Sequence, residues 1–423
     1  MKVLHVNKFL YRRGGAEGYM LDLAAAQMAR GQEVEFFSMA HRENLPARFE
    51  GSFPSQVDFD PPPDRLGARL MAVGRLMYSP AARRGISDVL SAFGPDIAHV
   101  HNIYHQLSPS VLQPLRARGV PTVMTMHDYK LACPTYLFLD HGQICEACLG
   151  GKFHQAILRR CNNGSLAASA VNAIEMTIHT AAKLYGAVDL FLCPSRFIAG
   201  KMAEAGVFPD RLRHVPLFID PDPVAVKDAP GGGVVYAGRL RQEKGVDVLL
   251  EAVATVPGEV HIAGDGPARA QLEAQARRLG RQDVHFHGHL PKDRLLELIR
   301  SASVLVLPSR CYENQPLAVL EAFACGVPVV GSDLGGIPEL IEPGVDGELV
   351  PPDDPAALAG ALGRMTGDPR RAFAMGQAGR RKVLARYSPS VHLGRLDEIY
   401  AEAAALSHRK RVPRPAVGKS AGS

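Results

Sequence analysis

Residues 304–326 read Val304-Leu305-Val306-Leu307-Pro308-Ser309-Arg310-Cys311-Tyr312-Glu313-Asn314-Gln315-Pro316-Leu317-Ala318-Val319-Leu320-Glu321-Ala322-Phe323-Ala324-Cys325-Gly326, and this stretch decides the fold. Four apolar residues closed by Pro308 suit a strand buried on both faces of a parallel sheet. Pro316 fits a first helical position and Gly326 a C-cap, so the spacing predicts a helix between them. The helix would point its free N–H groups toward the carboxyl end of the strand, which makes an anion site. Glu313 lies in the loop and Glu321 in the helix. Either carboxylate can accept hydrogen bonds from a vicinal diol, so one could hold a ribose and the other a sugar.

Working outward, the same alternation of short apolar runs and helical patterns fills most of the chain. The runs are Val3–Val6, Val34–Phe37, Ile97–Val100, Thr122–Met126 and Leu190–Cys193. After the Pro/Gly-rich stretch Pro221 to Gly233 the pattern restarts with Val234–Ala237, Val260–Ala263, Val284–Phe286, Val304–Leu307 and Val327–Val330. Two successive series predict an α/β protein of two Rossmann-like, doubly wound domains that face a cleft. We place the N-terminal domain at 1–214 and the C-terminal domain at 215–390. A helix at 391–406 would return to the N-terminal domain, and 407–423 would be a disordered basic tail.

Ligands of such sheets bind beyond the carboxyl ends of the strands, so the residues that follow strands carry the chemistry. After Val234–Ala237 come Gly238-Arg239 and then Lys244-Gly245, two cations at a strand-to-helix turn suited to a diphosphate. After the first strand comes Arg12-Arg13-Gly14-Gly15-Ala16-Glu17, a glycine-rich turn without the three spaced glycines of a dinucleotide fingerprint, which disfavours NAD. Thr122–Met126 runs into His127-Asp128, at a strand end that faces the cleft.

Taken in this order, the motifs resemble glycosyltransferase family 4, retaining enzymes of the GT-B fold, over roughly residues 1–405. Glu313 and Glu321, with the run through Gly326-Val327-Pro328-Val329-Val330, look like the family's paired-glutamate signature. Ala263-Gly264-Asp265-Gly266 and Gly335-Gly336-Ile337-Pro338-Glu339 match further elements. The resemblance implies a glycosyltransferase that takes its sugar from a nucleoside-diphosphate sugar bound by the C-terminal domain. The acceptor is a glycan or a lipid-linked molecule in polysaccharide or glycoconjugate assembly. Arg239 and Lys244 would bind the diphosphate, Glu313 the donor sugar and Glu321 the ribose. The backbone of Leu317 and Ala318 would cap the phosphate. Gly15 would approach from the N-terminal domain, His127 would sit by the sugar, Gly264 would belong to the donor site, and His289-Leu290 would lie near the base. No catalytic metal is expected. Two departures from the pattern stand out: Asn314-Gln315-Pro316 replaces a glycine-rich segment, and Leu217-Phe218-Ile219-Asp220 lacks the frequent Asn-Gly. The rival readings are a sugar-nucleotide epimerase and a non-catalytic nucleotide-sugar-binding protein on the same fold.

Four of the seven cysteines, Cys133, Cys145, Cys148 and Cys161, fall in an insert at 130–162, whose stretch Leu137 to Leu149 is polar and has little material for a core of its own. A C-x2-C knuckle with two further cysteines suits a structural zinc site, with an iron–sulfur cluster or free thiols as alternatives and His141 and His154 as substitute ligands.

Composition narrows the rest. Hydrophobic residues make up 46% and charged residues 22%, which excludes a disordered or fibrous class. A net charge of +5, no Trp and 6% aromatics do not argue for nucleic acid. No apolar run is long enough to span a membrane, and His5 and Asn7 interrupt any signal-peptide core, so a cytoplasmic protein is expected. Residues 65–84 form a basic amphipathic candidate for contact with the inner face of the membrane.

Overall fold

The computed structural model describes residues 1–57 and 66–411. It contains two parallel six-stranded sheets. The first is built from β1 (Lys2–Val6), β2 (Glu33–Phe37), β3 (Ile97–Val100), β4 (Thr122–Thr125), β7 (Leu190–Cys193) and β8 (Leu212–His214), in the order β2-β1-β3-β4-β7-β8. Between β4 and β7 the chain makes a small antiparallel hairpin, β5 (Leu139–Asp140) with β6 (Gln143–Ile144). The second sheet comprises β9 (Val234–Ala237), β10 (Val260–Ala263), β11 (Val284–Gly288), β12 (Val304–Leu307), β13 (Val329–Ser332) and β14 (Gly347–Val350), ordered β11-β10-β9-β12-β13-β14. The helices of the first half are α1 (Gly15–Ala29), α2 (Leu66–Met77), α3 (Pro80–Phe93), α4 (Leu112–Arg118), α5 (His154–Arg159), α6 (Leu166–Ala181) and α7 (Arg196–Glu204). Those of the second are α8 (Val246–Val253), α9 (Arg269–Arg278), α10 (Lys292–Ser301), α11 (Leu317–Ala324), α12 (Pro355–Gly367), α13 (Pro369–Arg386) and α14 (Pro389–Arg411).

Each sheet is buried on both faces because alternate residues of a strand feed opposite cores. Leu4, Val6, Ala98, Val100 and Met124 enter one cluster, while Val3, Val34, Ile97 and Val123 enter another. In the second sheet Val234, Tyr236, Ile262, Val304 and Val306 face one way, and Val235, Ala237, Leu305 and Leu307 the other. Helix α14 crosses back, so that Leu393, Leu396, Ile399, Tyr400 and Ala403 pack in the cluster that holds Val3, Tyr19 and Leu23.

Two strands of the six-stranded sheets are absent from the apolar runs of the sequence. β8 and β14 are edge strands, and Arg213 and Glu348 interrupt their apolar pattern. The expected tail from Ser407 is corrected in its first residues: α14 continues to Arg411, since nothing in His408-Arg409-Lys410-Arg411 breaks a helix before Pro413. The remainder of that tail lies outside the described residues. The amphipathic candidate 65–84 is two helices, because Ser79 caps α3 through the Ala82 N–H and Pro80 occupies its first turn. Arg65 lies outside the described residues.

Candidate active site

The strand order reverses between β1 and β3 in the first sheet and between β9 and β12 in the second, and crevices open at such switch points. The loops that leave these strands meet across the interface between the two sheets. Helix α1 starts after Gly14 and helix α11 after Pro316, and neither has a side-chain cap on its first N–H groups. A Cβ on Gly15 would lie 3.7 Å from Leu317 Cδ1, so the two open helix ends are near neighbours. Between them lies a cavity of about 280 Å³ lined by residues of both halves, among them Gly15, His127, Asp128, Lys244, Glu313 and Leu317.

Glu313 and Lys244 form the charged centre. Lys244 Nζ donates to Glu313 Oε1 at 2.6 Å, and Ser309 Oγ donates to the same oxygen at 2.7 Å. Burial opposes the charge on Lys244, but the Glu313 carboxylate outweighs it and raises the lysine pKa. Burial pushes the carboxyl of Asp128 up and the imidazole of His127 down to about 3, so His127 is neutral at pH 7. Arg239 is not among the cavity residues, but its guanidinium reaches within 2.9 Å of where a Cβ on Gly14 would sit. That places it against the glycine turn of the opposite half. Gly264 shapes the Arg239 turn from behind: its φ is +141°, and a Cβ there would fall 1.8 Å from the Gly238 carbonyl oxygen.

The structure therefore gathers Gly15, His127, Lys244, Glu313 and Leu317 in one cavity and sets Arg239 and Ala318 beside it. Glu321, Gly264 and Leu290 do not line it. Glu321 faces a separate charged group: Lys292, Asp22 and Arg12 act on its carboxyl, Arg12 pairs with Asp22, and Lys292 lies 3.4 Å from Asp22.

Two residues gain roles that sequence reasoning missed. Asn314 Nδ2 donates to the Met126 carbonyl at 2.7 Å, and Asn314 Oδ1 accepts from Ser195 Oγ at 3.0 Å. Gln315 accepts from Leu217 N–H at 2.6 Å and donates to the Leu217 carbonyl at 3.3 Å. Asn314 thus ties the site loop to Met126 of the first half, and Gln315 ties it to Leu217 in the connecting segment, which packs in the first half's core. The one sequence signal for them was the departure from a glycine-rich segment.

The cysteine insert borders the same loop. Glu146, between Cys145 and Cys148, accepts from the Tyr312 hydroxyl at 2.8 Å and pairs with Lys201 at 2.9 Å. None of the seven cysteines forms a disulfide. Burial, followed by the charges of Cys133, Cys161 and Cys145, raises the Cys148 thiol to about 12. Burial likewise raises Cys161 to about 11, with Asp140 and two of the cysteines adding to the shift. The four thiols thus share one neighbourhood. Among the described residues, however, the group of three metal-type ligands within 4.8 Å of one another is His5, His99 and His101, not the cysteines.

Residues 13–223 match the profile of Glycosyltransferase Family 4, and residues 231–368 match that of Glycosyl transferases group 1. The D-inositol 3-phosphate glycosyltransferase of Acidothermus cellulolyticus is 31% identical over 386 residues, covering 83% of this chain and 78% of that protein. Sucrose-phosphate synthase from Thermosynechococcus elongatus superposes with a TM-score of 0.71 at 21% identity, covering 96% of this chain and 99% of its own. Anabaena HepE in complex with UDP superposes with a TM-score of 0.65 at 17% identity, covering 95% of this chain and 100% of its own. The two facing sheets are the GT-B architecture, and the chain is a glycosyltransferase that belongs to family 4.

Proposed function

We propose that this glycosyltransferase takes a sugar from a nucleoside-diphosphate sugar and passes it, with retention of anomeric configuration, to a glycan or lipid-linked acceptor. The observation that carries the reading is the cavity into which two uncapped helix N-termini and Lys244 converge. Helix ends and a cation stabilise a diphosphate, and most of all the charge it gains as the sugar leaves. Lys244 and Arg239 hold the diphosphate, the first N–H groups of α11 at Leu317 and Ala318 cap it, and Gly15 lets α1 approach. Glu313 meets the donor sugar and keeps Lys244 charged, and Glu321 binds the ribose. The bond from the anomeric carbon to the diphosphate oxygen breaks first. The acceptor oxygen then bonds to that carbon from the departing side and gives its proton to the leaving diphosphate. The complex of HepE with UDP supports a diphosphate donor on this architecture. A thermal-shift panel of nucleoside diphosphates and their sugars tests the reading. A shift with one nucleotide that disappears in Lys244→Ala supports it, and a flat panel overturns it.

Two extensions have their own support. For a lipid-linked acceptor, α5 and α6 expose Leu158, Leu166, Ile174 and Ile178. Residues 150–187 carry Lys152, Arg159, Arg160 and Lys183, and their one acidic side chain, Glu175, is buried. Exposed apolar residues in a segment of net positive charge suit an anionic membrane surface. Co-sedimentation with anionic but not zwitterionic vesicles, weakened in Leu158→Ser, is the expected result. For the insert, Cys133, Cys145, Cys148 and Cys161 would hold a structural zinc ion once their sulfurs drew together. Metal analysis of purified protein should find about one zinc per chain, lost in Cys148→Ser.

A further inference from the structure

Five histidines lie in or beside the first sheet, and the rings of four of them, His5, His99, His101 and His127, are joined through the Tyr400 hydroxyl and the Gln27 amide into a single chain of hydrogen bonds. Every one of the six ring nitrogens of His5, His99 and His101 already has a partner. Their closeness is therefore that of a hydrogen-bonded network rather than an open metal site.

The sense of the chain is set at the Gln27 amide, whose Nε2–H donates to the Tyr400 hydroxyl at 3.1 Å. On one side, Tyr400 gives its own hydrogen to His99 Nδ1 at 2.8 Å. Burial holds His99 well below its ordinary value, so its one hydrogen lies on Nε2 and is donated to Thr125 Oγ1 at 2.7 Å. On the other side, Gln27 Oε1 faces His5 Nε2–H at 2.7 Å. His5, lowered to about 4 by burial, accepts at Nδ1 from His101 Nε2–H at 3.0 Å. His101, lowered by burial as well, accepts at Nδ1 from His127 Nε2–H at 3.1 Å. The fifth ring stands apart from this chain: His392 Nδ1–H donates to the Pro216 carbonyl at 2.8 Å, burial lowers the ring to about 4, and its bare Nε2 accepts from the Tyr19 hydroxyl at 2.9 Å.

We infer that this relay fixes His127 as the Nε2–H tautomer, so that it offers a bare Nδ1 to the cleft. No protein partner for that nitrogen is found among the described residues, and His127 lines the cavity. A lone pair there accepts from a hydroxyl and repels a phosphate oxygen. On the reading of a nucleotide-sugar donor, which this inference deepens, His127 selects a hydroxyl of the sugar and leaves the diphosphate to Lys244 and Arg239. Gln27 and Tyr400 are positioning residues that act through His127. Tyr400 sits on α14, so the helix that crosses back contributes to the hydrogen-bond sense of the cleft.

Two-bond proton–nitrogen spectra of the histidine-labelled full chain read each tautomer directly. The expected pattern is Nε2–H for His5, His99, His101 and His127, and Nδ1–H for His392. A protonated Nδ1 on His127, or an even mixture of the two forms, overturns the inference without touching the donor reading. Titration with UDP-glucose should shift His127 Nδ1 with no gain of a proton, and UDP alone should leave it in place. A shift with UDP alone overturns the hydroxyl assignment. Failure of both nucleotides to bind would strike the donor reading and with it the hydroxyl assignment, while the free-protein spectrum still decides the tautomer. In Gln27→Leu the His127 signal should become a mixture, with KM for UDP-glucose up roughly 2- to 10-fold and kcat less affected. A pure Nε2–H signal in that variant would overturn the relay. The wild-type spectrum remains decisive if the variant fails to fold.

Discussion

Glu313 takes hydrogen bonds from Lys244 and Ser309 on a single oxygen, which leaves its other oxygen for a ligand. Glu313→Gln removes the charge that holds the Lys244 pKa up and keeps the size of the side chain. The expected outcome is a fall in kcat of roughly 10²-fold, the scale of losing one preorganised electrostatic partner. The melting temperature should change little, because neither side chain is fully buried. The histidines give a second residue-scale prediction. His5 and His392 titrate near 4 in the fold and near 6.5 when unfolded. Between those values the unfolded chain binds protons that the native chain does not, so stability falls as pH drops from 6.5 toward 4. Urea midpoints should be flat from pH 8 to 7. Below 6.5 stability should fall by about 1 kcal/mol per pH unit for each such histidine.

At the scale of elements, the Arg239 turn depends on Gly264. A Cβ at that position would meet the Gly238 carbonyl, and the left-handed φ adds strain of about 1–3 kcal/mol for any other residue. Gly264→Ala should lower the melting temperature and weaken nucleotide binding together, read by calorimetry and titration on the same sample. Local chemistry of this kind was legible in the sequence. The strand Val304–Leu307, the loop with Glu313 and the helix stop at Gly326 are all encoded within two dozen residues. The histidine relay was not legible, although each of its members is plain to see. His5 and His99 are register partners on adjacent strands, 94 positions apart, and periodicity carries no information about register between distant strands. The cysteines stand between these cases: spacing marks the group, while its closure depends on how the insert packs on α6.

For the whole molecule, the two halves are joined by a few directed contacts. Asn314 and Gln315 reach from the second half to Met126 and Leu217. Glu339 accepts from the Arg196 and Phe197 N–H groups at 2.8 and 2.7 Å, capping α7 from the opposite half. Such contacts hold the two halves in a defined arrangement. Small-angle scattering should show compaction with a saturating nucleotide sugar, and Glu339→Ala should loosen the free form without abolishing that compaction.

The returning helix also bears on how the chain is made. Tyr19 and His392 are 373 residues apart in sequence yet share a hydrogen bond, and the core on one face of the first sheet is completed by α14. Domains generally fold in order as they leave the ribosome, at roughly 5–20 residues per second. This one cannot: the half that emerges first must wait until α14 has been made for its last wall. Nascent chains stalled before residue 389 should therefore carry a protease-sensitive N-terminal half. A chain cut short before α14 would be a substrate for quality control rather than a partly active enzyme.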